Sequence, residues 1–279
     1  MLKAKKQHDY LICIDSDGTI MDSMTIKHEK CFGPCFIKVF DIKEHVDEIL
    51  KKWNDINLYR LTRGINRFQG LKQILTYVME NFQLRYEGYE HFFSWVEKTG
   101  TFSTSLLKKE LDKYPNDEVI QKALEWSYLV NEEISMLPPF YEFEHVNPCL
   151  ARLASFSDLL GVSSANKDAV IKEWTKQGLA PFFMDIACQD VGSKSNIIKQ
   201  ALELGYDLDN VIMIGDALGD ENAAKENGVS FYPIIPSQEV RCWSELENKY
   251  ADYIESGRYH EVKDRLVKQF HTFLDNGGK

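Results

Sequence analysis

The sequence predicts an α/β fold, a parallel-sheet core interrupted by an all-helical insertion. Three observations carry that expectation. A short apolar run near the N-terminus reads as a strand. The stretch from about residue 23 to 137 holds only helical periodicity. After Pro138-Pro139, strand-like and helix-like segments alternate. Alternation of that kind indicates a parallel sheet with helices on both faces.

The elements follow in order. Asp9–Ile14 (DYLICI) is apolar and partly β-branched, and the polar run Asp15-Ser-Asp-Gly-Thr19 ends it in a tight turn. Lys43–Tyr59 places Val46, Ile49, Leu50, Trp53 and Ile56 on one helical stripe. Gly70–Phe82 and Glu118–Leu137 repeat that period. The aromatic stretch Tyr86–Trp95 is expected to supply core to the helical block. The double proline then breaks the helix. Beyond it, helices are expected at Val146–Phe156, Lys167–Gln177, Ser193–Leu204 and Asp220–Asn227. Strands are expected at Asp158–Val162, Phe182–Ala187, Asn210–Ile214 and Ser230–Ile235, with a last one at Ala251–Ile254 before a terminal helix. The expected domains are therefore a core of 1–22 with 138–279 and an insertion of 115 residues at 23–137.

Composition excludes several classes. The 279 residues carry 33 Lys plus Arg against 43 Asp plus Glu, a net charge of −10. A protein that binds nucleic acid by neutralising phosphates usually has the opposite sign, so no nucleic-acid partner is expected. No apolar run approaches the roughly 18 residues of a membrane span. The N-terminus starts with lysines but has no long apolar stretch before Asp9, so a secretory signal is not expected and the cytoplasm is. Six cysteines without framework spacing read as reduced thiols; the Cys31-xxx-Cys35 pair alone leaves a redox or metal alternative. The scattered histidines do not support a zinc site.

Ligands of open α/β sheets sit beyond the carboxyl ends of the strands. Three polar clusters follow strands here: Asp15-Ser16-Asp17-Gly18-Thr19, Ser163-Ser164-Ala165-Asn166, and Gly215-Asp216-Ala217-Leu218-Gly219-Asp220. Lys194 opens a helix between the last two. Alone, the first could be a turn or a calcium-loop fragment, Lys194 a solvated helix start, and the third a helix cap with an acidic first turn. Their joint order is hard to explain as chance.

That order, DxDGT, then apolar-Ser, then Lys, then GDxxxD, resembles the haloacid dehalogenase-like (HAD) superfamily. The helical insertion after the first motif is similar to the cap of its phosphoglycolate phosphatase and β-phosphoglucomutase members. The resemblance implies a Rossmann-like core and a Mg²⁺-dependent phosphatase acting on a small phosphorylated metabolite. Asp15 would be the nucleophile that forms an aspartyl-phosphate, and Asp17 the general acid/base. Mg²⁺ would be held by Asp15, the Asp17 carbonyl and Asp216, with Asp220 behind them or bound through water. Ser163, or alternatively Ser164, would supply the hydroxyl on the phosphoryl oxygens, with the backbone amides of Ser164 and Asn166 nearby. Lys194 would complete the positive side. Thr19 would orient the turn or Asp17, or simply cap the turn. Asp17 favours phosphate-ester chemistry, since dehalogenases and phosphonatases of the superfamily lack an acid there.

Two positions depart from the family pattern. Ser16 stands where many relatives have a larger apolar residue, and Ser195 where a proline often follows the lysine. The insertion would choose the substrate by closing over the core. Arg60, Arg63 and Arg67 share one face if their segment is helical, and could hold a second anionic group or form an ion-paired surface; Gly64 speaks against the helix. Residues 23–137 hold 16 basic and 17 acidic side chains, so the negative charge lies almost wholly in the core. A phosphomutase of the β-phosphoglucomutase kind is the alternative enzyme, and a receiver-like or regulatory phosphate binder the non-catalytic one. A monomer or homodimer is expected.

Overall fold

The structure is a computed structural model that describes residues 5–82, 84–100 and 102–278. The lysine-bearing start of the chain lies partly outside these residues. The chain divides into two compact units, Met1–Met24 with Pro139–Lys279, and Thr25–Pro138.

Among the described residues the first strand, β1 (Tyr10–Ile14), is followed by seven α-helices: α1 (Met24–Lys27), α2 (Gly33–Val39), α3 (Val46–Leu58), α4 (Arg67–Asn81), α5 (Tyr89–Lys98), α6 (Thr104–Lys113) and α7 (Glu118–Met136). A π-helical turn, His28–Phe32, joins the first two. Helix starts are set by side chains: Asn66 accepts from the Phe68 amide, Ser103 from Leu106 and Asp117 from Ile120. The inner faces meet around aromatic rings. Trp53 and Trp126 are fully buried, with ring centroids 5.7 Å apart, and Phe68 lies 6.4 Å from Trp126. Their indole N–H groups are satisfied, Trp53 donating to His28 Nδ1 (3.1 Å) and Trp126 to the Phe32 carbonyl (3.1 Å). Phe92 and Trp95 of the aromatic stretch join this core.

The unit of Met1–Met24 with Pro139–Lys279 carries the sheet. After α8 (Val146–Ala154) come β2 (Ser157–Val162), α9 (Lys167–Lys176), β3 (Asp185–Ala187), α10 (Lys194–Leu202), β4 (Val211–Gly215), α11 (Leu218–Glu226), β5 (Ser230–Pro233), α12 (Glu239–Glu245), α13 (Ala251–Glu255) and α14 (Lys263–Asp275). The five strands are ordered β3-β2-β1-β4-β5 and every neighbouring pair is parallel. Both faces are covered. Leu11, Cys13, Leu160, Val162, Val211 and Met213 pack with Ile197, Ala224 and Phe270 of α10, α11 and α14. On the opposite face Gly161 lies under Trp174 of α9, where an added Cβ would stand 2.8 Å from the indole. Burial of each such apolar side chain stabilises the fold by about 1.5–3 kcal/mol.

One expected strand is corrected. Ala251–Ile254 is helical, within α13. Ala251 and Ile254 are both buried, a spacing of three that one helix face satisfies and one strand face does not. The segment continues a helical path from Glu239 through a π-helical turn, Leu246–Tyr250. The six cysteines are all buried free thiols, Cys31 and Cys35 included.

Candidate active site

Three strands deliver their following residues to one sheet edge. β1 runs into Asp15, whose amide donates to the Ile214 carbonyl of β4 (3.0 Å). β4 ends at Gly215, so Asp216 stands next to Asp15. β2 ends at Val162, and the Ser163 amide donates to the Ala187 carbonyl at the end of β3 (3.0 Å). Parallel register therefore aligns the loop starts without help from the loops themselves.

Asp15, Asp216 and Asp220 offer carboxylate oxygens that lie within 4.8 Å of one another, and all three are buried. Lys194, the first residue of α10, reaches them. Its Nζ stands 2.9 Å from Asp15 Oδ1 and 2.6 Å from Asp220 Oδ1. Ser193 caps that helix by accepting from the Asn196 amide (3.2 Å), which fixes where Lys194 begins. Asp220 Oδ2 accepts from the Ala217 amide (3.2 Å).

Burial pushes the Asp15 carboxyl well above the usual carboxylate range; Lys194 opposes the shift, while Asp220 and Asp216 add to it. Asp220 is raised too, by burial first, with Lys194 opposing. For Lys194 burial acts downward, but Asp15 and Asp220 outweigh it and the ammonium is held charged. Three carboxylates thus face one ammonium in a buried place. Hard oxygen donors with surplus negative charge fit a divalent cation such as Mg²⁺.

The loop after β1 is anchored on several sides. The Ser16 carbonyl accepts from the amides of Ile20 and Met21 (both 2.9 Å), and Gly18 N–H donates to the Met21 carbonyl (2.9 Å). Ser16 Oγ accepts from the Trp174 indole (3.1 Å). The Thr19 carbonyl accepts from the Trp243 indole (2.8 Å), and its hydroxyl donates to Asp216 Oδ1 (2.7 Å). The Asp17 carboxylate accepts a hydrogen bond from Ser23 Oγ.

Other expected residues fall out as follows. Ser163 is buried, and its Oγ accepts from the Ala165 amide (3.1 Å), while Ser164 is exposed. Asn166 caps α9 through the Ala169 amide (3.2 Å). Thr19 is fully buried; its amide donates to the Ser16 carbonyl within the turn (3.3 Å), and its hydroxyl is placed on Asp216 rather than on Asp17.

The arginine row is also corrected. α3 ends at Leu58 and α4 begins at Arg67, with a turn between in which Gly64 has φ +71°, so the three arginines do not share one helix face. Arg63 is buried and donates to the Leu58 carbonyl (2.9 Å). Arg67 lies over the Phe32 ring and donates to Asn131 Oδ1 (2.8 Å), tying α4 to α7. Only Arg60 of the three is exposed.

Sequence reasoning missed Ser23, Trp174 and Trp243. For Ser23 a signal existed: a hydroxyl residue six positions after Asp17 in a loop that folds back on itself. The two indoles come from 158 and 224 residues away, and no local pattern announces them.

Comparison with known proteins bears on the whole arrangement. The model of the haloacid dehalogenase-like hydrolase family matches residues 65–234, more than half of the sequence. The chain belongs to that family. The matched span includes Ser163, Lys194, Asp216 and Asp220, while β1 with Asp15 and Asp17 precedes it. No curated protein matches the sequence. Among solved structures, one described as a "putative phosphoglycolate phosphatase" from Lactobacillus delbrueckii subsp. bulgaricus shares 13% identity at a TM-score of 0.55, covering 89% of this chain and 99% of that one. At that identity the likeness is one of fold. A haloacid dehalogenase-like hydrolase from Streptococcus pneumoniae is also similar, with 15% identity, a TM-score of 0.48, and coverage of 84% of this chain and 90% of that one. A third, described as a "putative beta-phosphoglucomutase" from Thermotoga maritima, has 16% identity, a TM-score of 0.47, and coverage of 85% and 99%. Among the described residues no helix is long and apolar enough to cross a membrane.

Proposed function

We propose that this family member is a phosphatase that hydrolyses a small phosphorylated metabolite through an aspartyl-phosphate on Asp15. The observation that carries the reading is the pairing of Asp15 with Lys194 inside the three-carboxylate cluster, with a second, separately held acid at Asp17. A nucleophile and a proton carrier need different environments, which the Lys194 ammonium at Asp15 and the Ser23 hydroxyl at Asp17 would supply.

In the first step an Asp15 oxygen bonds to phosphorus and the bond from phosphorus to the ester oxygen breaks. The leaving oxygen takes its proton from Asp17. In the second step water attacks the phosphorus and returns a proton to Asp17. The bond from phosphorus to Asp15 breaks, inorganic phosphate departs and the carboxylate is restored.

Lys194 and the Ser163 hydroxyl would counter the charge on the phosphoryl oxygens. Asp15, the Asp17 carbonyl, Asp216 and Asp220 are the residues that would hold Mg²⁺. That ion would offset the surplus carboxylate charge and the charge of the phosphoryl group. Thr19 would keep Asp216 pointed into the cluster, and Ser23 would hold the Asp17 carboxylate. The helical unit would select the substrate.

The test is a panel of phosphate esters offered to the purified full chain with and without Mg²⁺. Metal-dependent phosphate release from at least one ester is expected. Strict dependence on a bisphosphate activator with little release would point to a mutase instead. No release from any ester would contradict the phosphatase reading.

A further inference from the structure

A hollow lined by cationic side chains lies beside the last strand of the sheet. A cavity of about 400 Å³ opens between the loop after β5, α12 and α14. Arg241, Arg265 and Lys268 line it, and no carboxylate does. A neighbouring cavity of about 450 Å³ shares Lys268 and adds Lys225 and Lys263, but the carboxylates of Glu221 and Asp264 line it too.

The two guanidinium groups are already held. Arg241 donates to Glu245 Oε1 (2.9 Å) and to Gln238 Oε1 (3.2 Å). Arg265 donates to the Tyr250 hydroxyl (3.1 Å). Pre-positioned guanidinium forks suit bidentate contact with a phosphate or phosphonate, and less ordering entropy is lost on binding. Ile235 and Phe273 add an apolar surface to the same hollow. The volume is that of a small-molecule site.

The hollow stands apart from the carboxylate cluster, yet its walls are bonded to it. Ile234, next to the lining residue Ile235, donates its amide to the carbonyl of Gly215, the residue before Asp216 (2.8 Å). Trp243, two residues beyond Arg241 on α12, holds the Thr19 carbonyl.

We propose that this hollow is a second ligand site, for a small organic phosphate whose anionic group sits among Arg241, Arg265 and Lys268 and whose planar or apolar body lies on Phe273 and Ile235. Phenylphosphonate is a fitting probe, because its carbon–phosphorus bond resists a phosphatase. Calorimetric titration of the full chain with phenylphosphonate, without divalent metal, reads binding directly and needs no turnover. Saturable binding is expected in the wild type and in Asp15→Asn, weakened at least about tenfold by Arg241→Gln with Arg265→Gln. Both arginines are exposed, so that double variant should keep the wild-type melting temperature. Wild-type affinity in the double variant, or loss of binding in Asp15→Asn, would place the probe at the carboxylate cluster and overturn the proposal. Equal affinity for inorganic phosphate would overturn the role given to Phe273 and Ile235. No saturable binding in the wild type would overturn the site altogether.

Discussion

Ser23 donates its hydroxyl hydrogen to Asp17 Oδ1, so the acid two residues after Asp15 is held by a neutral partner inside its own loop. Asp15, in contrast, is held by the Lys194 ammonium (2.9 Å). Two carboxylates close in sequence thus have different partners, a hydroxyl and an ammonium, a difference that suits different tasks.

Ser23→Ala should lower kcat about tenfold, the worth of one hydrogen bond to a charged group. Asp17→Asn should lower it by about 10²–10⁴, the usual contribution of a general acid/base. Because Ser23 acts through Asp17, its loss should also shift the pH profile of kcat, whereas a merely structural role would leave the profile in place. Steady-state kinetics across pH reads both.

Lys194→Ala removes the ammonium shared by Asp15 and Asp220. Breaking a buried pair of this kind costs about 3–5 kcal/mol. Urea unfolding should show that loss in buffer without divalent metal. Added Mg²⁺ should recover part of it, since the ion offsets the same charges.

Mg²⁺ itself should raise the melting temperature of the wild type, by linkage between binding and folding. Asp216→Asn should reduce that rise, and chelation should reverse it. Differential scanning calorimetry with and without a chelator is sufficient. An identical rise in Asp216→Asn would remove that residue from the ligand set.

Gly161→Ala should destabilise the sheet and disturb the loop after β1 together. The added Cβ would stand 2.8 Å from Trp174, whose indole holds Ser16 beside Asp15. The expected cost is about 1–3 kcal/mol, typical of overpacking. Trp174→Phe in the same background should recover little, because it relieves the clash but loses the hydrogen bond.

Alkali should weaken the fold from pH 9 upward. Burial pushes the Cys13 thiol from 9.0 to about 12 and the Cys242 thiol from 9.0 to about 11. Between pH 9 and about 11 the folded chain keeps protons that the unfolded chain has lost. Their stabilising contribution is complete below pH 9 and disappears as pH rises through the folded values. Chemical unfolding at stepped pH should show stability falling across that window, less steeply in Cys13→Ala.

Much of the core was legible because burial on both sheet faces makes parallel strands read as apolar runs, as in Leu11–Ile14 and Val211–Ile214. The residue after each strand then marks the site edge, which is how Asp15, Ser163 and Asp216 stand out. The Ala251–Ile254 error shows the limit of that signal. A four-residue apolar run carries too few repeats to separate a period of two from one of 3.6. The arginine row failed for a related reason: one turn around Gly64 resets the helical phase between Arg63 and Arg67. Trp174 and Trp243 were invisible because their contacts with Ser16 and Thr19 are made by tertiary packing, not by neighbours in sequence.

The most direct measurement is acid-quenched mass spectrometry of the protein during turnover of an ester found in the panel. The account expects one phosphoryl group on the peptide containing Asp15, no such adduct in Asp15→Asn, and at least a thousandfold slower phosphate release by that variant. A phosphoryl group on another residue, or undiminished release by Asp15→Asn, would contradict it.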